Sequence, residues 1–437
     1  MTTDQATDRT KLFIGGQWVS PVASTERVDV LDASDGSVIG RVPRGDAQDV
    51  DRAVKAARAA FETWSTTAPE DRAKFLEALR DAIARRKDEI SRIISLEVGS
   101  AKWVSDLAQV GLPLATLAGF AAATRSFDWE GTIGNSLVVR EPAGVVAAIT
   151  PWNYPLHQLV GKVGAALAAG CTVVAKPAEV APLSAFILAD CVAEVGLPEG
   201  VFNLVSGSGR VVGEALAGHP GIDVMSFTGS TEVGSHVAAL AARNIARVSL
   251  ELGGKSASVV LDDADLAKAI PASVTNAFFN AGQTCTAWTR LVVPRRLHDT
   301  AVDIAVATAQ ALKLGHPLEE GTMIGPLSSP AQQRTVRGYI DGALADGLRM
   351  VVGGSEQPAD LPVGNYVKPT IFADVDNSSR IAQEEVFGPV LVIIPHDGDD
   401  DAVRIANDSE YGLAGAVWSG DEERALAVAR RIRTRML

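Results

Sequence analysis

The clearest pattern in the chain lies between residues 144 and 260, where short apolar runs alternate with longer segments of helical spacing. VVAAIT at 145–150, TVVAK at 172–176, VFNLV at 201–205, DVMSFT at 223–228 and RVSLEL at 247–252 read as strands. Helical spacing fills about 157–169, 182–195, 209–218 and 231–243 between them. That alternation implies βαβ units and a mostly parallel sheet. Ligands of such sheets bind beyond the carboxyl ends of the strands. Here those ends carry Pro151-Trp152-Asn153, Lys176-Pro177, Ser206-Gly207, Gly229-Ser230 and Gly253-Gly254, a dense set of polar and glycine positions.

Upstream, KLFIGGQWV at 11–19 reads as a strand and turn, and 27–43 as a hairpin around Asp35-Gly36. A long helical pattern starts near Asp46, with Ala53, Ala56, Ala57, Ala60 and Phe61 on one stripe and Asp46 or Asp49 as its cap. More helix follows over 70–95 and 101–124, whereas 128–142 is extended and reads as an arm. After 258 the α/β rhythm restarts, with strands at RLVVP (290–294), in QEEVFGPVLVI (383–393) and at AGAVWS (414–419). The predicted fold class is α/β: a Rossmann-like parallel-sheet cofactor domain joined to a second α/β catalytic domain. The expected boundaries are 1–127 for a helix-rich part of the cofactor domain, 128–142 for an oligomerisation arm, 143–253 for the Rossmann-like part and 254–437 for the catalytic domain.

Composition narrows the field only a little. With 437 residues, 47% apolar and 21% charged, the chain is an ordinary globular sequence with room for two cores. A net charge of −13 argues against a nucleic-acid binder or a polybasic membrane anchor. Cys171, Cys191 and Cys285 are too few for a disulfide scaffold and point to a reducing compartment, the cytoplasm. MTTDQATDRT has neither the basic start nor the apolar core of a signal peptide, and the apolar run at 144–149 is too short to span a membrane. The six histidines show no ligand spacing, no HExxH or CxxC occurs, and no G-x-S-x-G elbow is present, so metal and serine-hydrolase chemistry drop out.

What remains is covalent chemistry at a carbonyl. Cys171 and Cys191 sit among apolar residues and read as packing, whereas Cys285 follows Gly282-Gln283-Thr284 in a polar loop. There a thiolate can be approached by substrate and flanked by backbone N–H groups. Glu251, at the end of a predicted strand and before two glycines, reads either as an edge charge or as a general base. Asn153, between two bulky rings in PWNYP, is either an Asx turn or an oxyanion donor. GSGRVVG at 207–213 is a poor match to the dinucleotide fingerprint, having one residue too many before its last glycine. FTGSTEVG at 227–234 is a strand leading into a helix start that can meet a phosphate. Lys176 and Glu179 can hold ribose hydroxyls, and a carboxylate at 179 favours NAD over NADP by repelling a 2′-phosphate.

Taken together, PWNYP (151–155), AKPAEVAP (175–182), FTGSTEVG (227–234), LELGGKS (250–256), FFNAGQTC (278–285) and EEVFGPV (384–390) resemble the aldehyde dehydrogenase superfamily in order and separation, from about Leu12 onward. The resemblance implies Cys285 as nucleophile, Glu251 as general base, and Asn153 with the Cys285 N–H as oxyanion hole. It implies a cofactor set of Thr150, Trp152, Lys176, Glu179, Gly209, Gly213, Phe227, Gly229, Ser230, Leu252, Glu385 and Phe387. Within that set Ser230 would meet the pyrophosphate, and Glu385 with Phe387 the nicotinamide ribose region. The implied reaction is NAD-dependent oxidation of a small-molecule aldehyde through a thiohemiacetal and a hydrolysed thioester. A CoA-acylating enzyme, an NADP-preferring one and an inactive dinucleotide-binding homologue are the alternatives, and Glu251 favours hydrolysis over transfer to CoA. Family members continue beyond the equivalent of Arg433 with a PFGG…K.SG segment and a strand shared between subunits. The expectation is therefore a C-terminally truncated catalytic domain, with activity compromised and the family's homodimer or homotetramer put in doubt.

Overall fold

The computed structural model describes residues 7–437, which fold as two compact units. The first holds the chain up to Asp32, then Ser37–Val98 and Trp103–Glu251; the second holds Ala33–Gly36, Gly99–Lys102 and Leu252–Leu437.

A seven-stranded sheet forms the first unit's centre, in the order Arg247–Glu251, Val224–Thr228, Val145–Ile149, Thr172–Lys176, Phe202–Leu204, Leu12–Ile14, Gln17–Val19. Its first five strands run parallel, and the last two form an antiparallel hairpin at the edge. Val145–Ile149, Thr172–Lys176 and Phe202–Leu204 are buried along their whole length, as expected for parallel strands covered on both faces. Val145–Ile149 comes first in sequence among the parallel strands but lies in the middle. The chain steps one way from it to 172–176 and 202–204, then returns to its other side for 224–228 and 247–251. The sheet therefore has its switch point between Val145–Ile149 and Val224–Thr228, the place where open α/β sheets bind ligands.

The helix Ala47–Trp64 packs on this sheet and begins at a capping box. The Asp46 carboxylate accepts from the N–H groups of Gln48 (2.8 Å) and Asp49 (3.2 Å), and Asp49 accepts from the Asp46 N–H in return (3.2 Å). Lys102–Ser126 is long and apolar enough, by length and composition, to cross a membrane, a stretch not weighed in that role from the sequence. It is interrupted by a π-helical turn at Ser105–Gly111, and its second half packs against the helices Pro69–Arg85 and Pro155–Ala168. Glu130–Ile133 and Ser136–Val139 form a separate two-stranded hairpin that leaves Ile133, Leu137 and Val139 exposed.

The second unit is built on six strands in the order Arg349–Val352, Thr370–Ala373, Val390–His396, Arg290–Pro294, Ala257–Val260, Gly415–Trp418, parallel except at the 349–352 edge. Arg290 is buried, and among the described residues no carboxylate accepts a hydrogen bond from it. Its guanidinium donates to the carbonyls of Lys255, Ile405 and Ala406 and to Asn377 Oδ1, all at 2.9 Å. It ties two loops, at Lys255 and Asn377, and the end of the helix Asp399–Asn407 to one strand, which a buried charge does well when hydrogen bonds hold its donors. The two short inserts are stitched in by their backbones: Asn365 N–H donates to Ala33 O (3.1 Å) and Lys102 N–H to Pro317 O (2.8 Å). Beyond the helix Glu422–Ala429 the chain turns back, Arg435 and Met436 donate to the carbonyls of Gly412 and Leu413, and Met436 forms a parallel bridge with Ala414. The terminal residues thus pair beside the edge strand Gly415–Trp418.

Asp46→Ala removes the acceptor for two first-turn N–H groups. It should lower the stability of the first unit by about 1 kcal/mol, read from the urea midpoint, since loss of an N-cap typically costs that much. An unchanged midpoint would show that solvent satisfies those groups as well as the carboxylate does.

Candidate active site

In the first unit the candidate residues gather at the strand ends around the switch point. Thr150 follows the central strand; its N–H donates to Lys176 O (3.1 Å), while its hydroxyl is buried with no hydrogen-bond partner among the described residues. Lys176 is buried and donates its ammonium to Pro177 O at 3.0 Å. Burial lowers its pKa to about 8, opposed by the charge of Glu179. Glycine is required at 229, where a Cβ would come within 2.5 Å of the Phe227 ring. Ser230 then caps the helix Thr231–Ala242, accepting from Val233 N–H at 3.4 Å. Gly209 and Gly213 lie in a π-helical turn opened by Ser208, not in the tight strand-to-helix turn of a dinucleotide fingerprint. At 213 a Cβ would sit 3.8 Å from the Lys176 stem. An orphaned buried hydroxyl, an ammonium given only to a backbone carbonyl, and an exposed helix start beside a glycine fit the hydroxyls and phosphates of a dinucleotide.

Two reacting-group candidates share this unit. Asn153 is buried, and its carbonyl accepts from Gln109 Nε2 at 2.8 Å, which anchors the loop that presents its side chain. Glu251 ends the strand beside Thr228, and its carbonyl accepts from Gly229 N–H at 3.1 Å. Lys162, not anticipated from the sequence, donates to Ser226 Oγ at 3.1 Å. Its pKa falls to about 8 through burial, with the charge of Glu251 opposing. The available signal was the position of Lys162 on the same helix as PWNYP, two turns on from Pro155.

In the second unit Cys285 sits, partly exposed, on a loop held in an unusual backbone conformation. The helix Leu266–Phe278 gives way to a turn in which Asn280 (φ 54°), Ala281 (φ 56°) and Gly282 (φ 71°) are all left-handed. For alanine that conformation costs about 1–2 kcal/mol, so the surroundings must impose it. They do so by close packing. A Cβ on Gly282 would lie 2.0 Å from Gly388 O, and one on Gly254 would lie 2.3 Å from the carbonyl oxygen of Cys285. Gln283, fully buried, accepts from Ser328 N–H (2.8 Å) and donates to Asn280 O (3.2 Å).

Glu385 lies on the other side of the same glycine pair. Gly254 N–H donates to Glu385 Oε1 at 2.9 Å, and a Cβ on Gly253 would fall 2.3 Å from Oε2. Burial raises the Glu385 carboxyl to about 6, against the Gly254 hydrogen bond and the charge of Lys255. Lys255 is buried, and desolvation followed by the nearby Arg290 charge lowers it to about 7, with Glu385 and Glu384 opposing. Phe387 also has a left-handed backbone (φ 56°), one residue before the Gly388 that receives the cysteine turn. Leu252 is the first residue of this unit. The structure thus gathers Thr150, Trp152, Asn153, Lys176, Glu179, Phe227, Gly229, Ser230 and Glu251 in the first unit, and Leu252, Cys285, Glu385 and Phe387 in the second. Lys255, Asn280 and Gln283 were missed as supports, although polar residues inside FFNAGQTC and LGGKS stand out against their apolar neighbours.

A sheet with its switch point so furnished, followed by a second α/β unit presenting a cysteine on a strained loop, defines an α/β oxidoreductase architecture. Comparison with known proteins sharpens this. The aldehyde dehydrogenase family model matches residues 18–437. The 3-succinoylsemialdehyde-pyridine dehydrogenase of a Pseudomonas species is 44% identical over 433 residues, 98% of this chain and 90% of the relative. Geranial dehydrogenase of Castellaniella defragrans is 43% identical, over 98% of this chain and 90% of the relative. Among solved structures, aldehyde dehydrogenase C of Pseudomonas syringae, a cysteine-to-alanine variant with NAD+ and octanal, superposes with a TM-score of 0.96 at 44% identity, covering 98% of this chain and 88% of that one. The Mycobacterium tuberculosis aldehyde dehydrogenase with NAD+ gives 0.96 at 43%, covering 99% and 90%. The chain belongs to the aldehyde dehydrogenase family, and it is an NAD-dependent aldehyde-oxidising enzyme. The expected C-terminal truncation is corrected by the same findings: the family match runs through residue 437. The reading of a catalytic domain cut short and thereby compromised is withdrawn.

Gly254→Ala places a methyl group against a backbone carbonyl that cannot move aside cheaply. Turnover should fall by roughly a hundredfold, the scale set by a 1 Å displacement of a reacting group. Alkylation of Cys285 by iodoacetamide, followed by peptide mapping, should change with it. Parent-like turnover would show that the loop tolerates the displacement.

Proposed function

We propose that Cys285 carries out the oxidation by covalent catalysis, with Asn153 and Glu251 as its partners. The observation that carries this reading is the cysteine loop itself, a run of left-handed residues pinned by two glycine contacts that presents one partly exposed thiol. Strain of this kind persists where surroundings over-determine it, commonly at reacting groups. The thiolate adds to the aldehyde carbon, forming a C–S bond and moving the carbonyl π pair onto oxygen. The Asn153 amide and the Cys285 N–H donate to that oxyanion. NAD+, when held by the first unit, would supply the hydride acceptor that lets the adduct on Cys285 become a thioester. Glu251 then takes a proton from water, the hydroxide adds to the thioester, the C–S bond breaks, and a carboxylate product leaves with the thiolate restored. Thr150, Lys176, Glu179 and the Ser230 helix start would hold the dinucleotide, while Glu385 would accept from ribose hydroxyls. Phe387, Trp152, Phe227 and Leu252 would supply apolar walls.

The setting follows from the same features. Three cysteines outside any disulfide support a reducing, cytoplasmic compartment. The isolated hairpin at 130–139, with Ile133, Leu137 and Val139 exposed, supports the reading of 128–142 as an arm used in a homo-oligomer. Aldehydes are the substrates, and Glu251 supports release by water over transfer to CoA.

Cys285→Ala tests the assignment directly. NADH formation should fall to background, while NAD+ binding, followed by calorimetry, stays within about threefold of the parent because no cofactor contact is removed. Surviving oxidation would assign the nucleophile elsewhere. A second outcome concerns pH. With its pKa raised to about 6, Glu385 is an ionised acceptor above that pH and a protonated carboxyl below it. NAD+ affinity should therefore fall as pH drops through 6, approaching about tenfold per unit at the acid limit. Glu385→Gln should flatten that limb of the profile; a parent profile that is flat from pH 8 to pH 5 would remove Glu385 from the cofactor site.

A further inference from the structure

Gly99–Lys102 is a four-residue insert in the second unit, and its serine reaches the turn that precedes the nucleophile. Ser100 is 1% exposed, and its hydroxyl donates to Asn280 Oδ1, itself buried at 3%. We propose that Ser100 is a positioning residue for Cys285, holding the Asn280 amide in the one orientation that locks the left-handed turn. This rests on the reading of Cys285 as the nucleophile.

The argument starts from the amide. With Oδ1 turned to the Ser100 hydroxyl, Asn280 Nδ2 faces Gln283 O at 3.4 Å, and Gln283 Nε2 returns a bond to Asn280 O at 3.2 Å. Residues 280 and 283 thus clasp each other across the turn, and Cys285 follows two positions later. A flipped amide would set Oδ1 against the Gln283 carbonyl, two acceptors facing each other. The other end of the clasp is held separately, by Ser328 N–H on Gln283 Oε1 at 2.8 Å.

The insert is seated well enough to act as a fixed donor. Gly99 has φ +83°, and a Cβ there would lie 2.2 Å from Pro326 O; a Cβ on Gly325 would lie 1.9 Å from Gly99 O. The two backbones are in direct contact, so only glycine serves at either position. Lys102 N–H closes the insert on Pro317 O at 2.8 Å. Pro326 is followed two residues later by Ser328, so one short stretch braces both the serine insert and the far end of the clasp.

The test compares Ser100→Ala with Ser100→Thr in the full-length protein. Alanine leaves the buried Oδ1 without that hydroxyl, whereas threonine keeps it. Steady-state kinetics and the pH profile of iodoacetamide alkylation at Cys285, mapped by peptide mass, are the readouts. For Ser100→Ala we expect kcat to fall about tenfold or more with KM for NAD+ within about twofold, and the alkylation profile to shift. Ser100→Thr should return both to within about threefold of the parent. Parent-like kcat and alkylation in Ser100→Ala would overturn the proposal, as would a Ser100→Thr variant no better than alanine, which would mark packing as the cause. Failure of the nucleophile reading is separable, because it appears as turnover in Cys285→Ala whatever residue stands at 100.

Discussion

One close approach organises the second unit. The backbone at Gly254 lies so near the Cys285 carbonyl that no side chain fits between them, and Gly253 meets the Glu385 carboxylate in the same way. The Gly253-Gly254 segment therefore sets the height of the cysteine loop on one side and that of a carboxylate on the other. Gly282 against Gly388 repeats the device from the opposite direction. Steric exclusion is short-ranged and stiff, so a few glycines locate a reacting group more sharply than flexible side chains would. The left-handed residues at 280 and 281 are the cost of that placement, and the buried amides of Asn280 and Gln283 help to hold them.

Electrostatics follows burial throughout. Lys162 and Lys176 are lowered to about 8 and Lys255 to about 7, while Glu385 is raised to about 6, with desolvation first among the causes in each case. Each has an opposing charge in its own unit: Glu251 for Lys162, Glu179 for Lys176, and Glu385 with Lys255 for each other. Groups poised near neutrality respond to small changes around them, which suits sites where charge comes and goes during a reaction. Arg290, equally deep, spends its donors on fixed carbonyls and acts as a strut.

Much of this was legible in the residues. The apolar runs at 145–149, 172–176 and 202–204 became the strands expected, because parallel strands buried on both faces leave an unmistakable composition. Cys285 and Glu251 stood out as polar residues in a loop or at a strand end near glycines, and Asn153 as a polar residue between two bulky rings. Less legible were features whose cause is distant in sequence. Nothing in GSAK predicts that Gly99–Lys102 belongs with the second unit, since the determining contact is with Pro326. Asn280 looks like an ordinary loop polar residue until Ser100 is beside it. GSGRVVG, a poor match to the dinucleotide fingerprint in sequence, folds as a π-helical turn. The comparison of motif endings suggested a chain cut short, yet the family match extends through residue 437, and Met436 pairs with Ala414.

The central claim is that aldehyde oxidation passes through an acyl group on Cys285 that Glu251 helps to hydrolyse. The most direct measurement is intact-protein and peptide mass spectrometry of Glu251→Gln, quenched in acid during turnover of an aldehyde with NAD+. The account predicts a burst of about one NADH per active site and an added acyl mass on the peptide that carries Cys285. Slow turnover with no adduct, or an adduct on another residue, would contradict it.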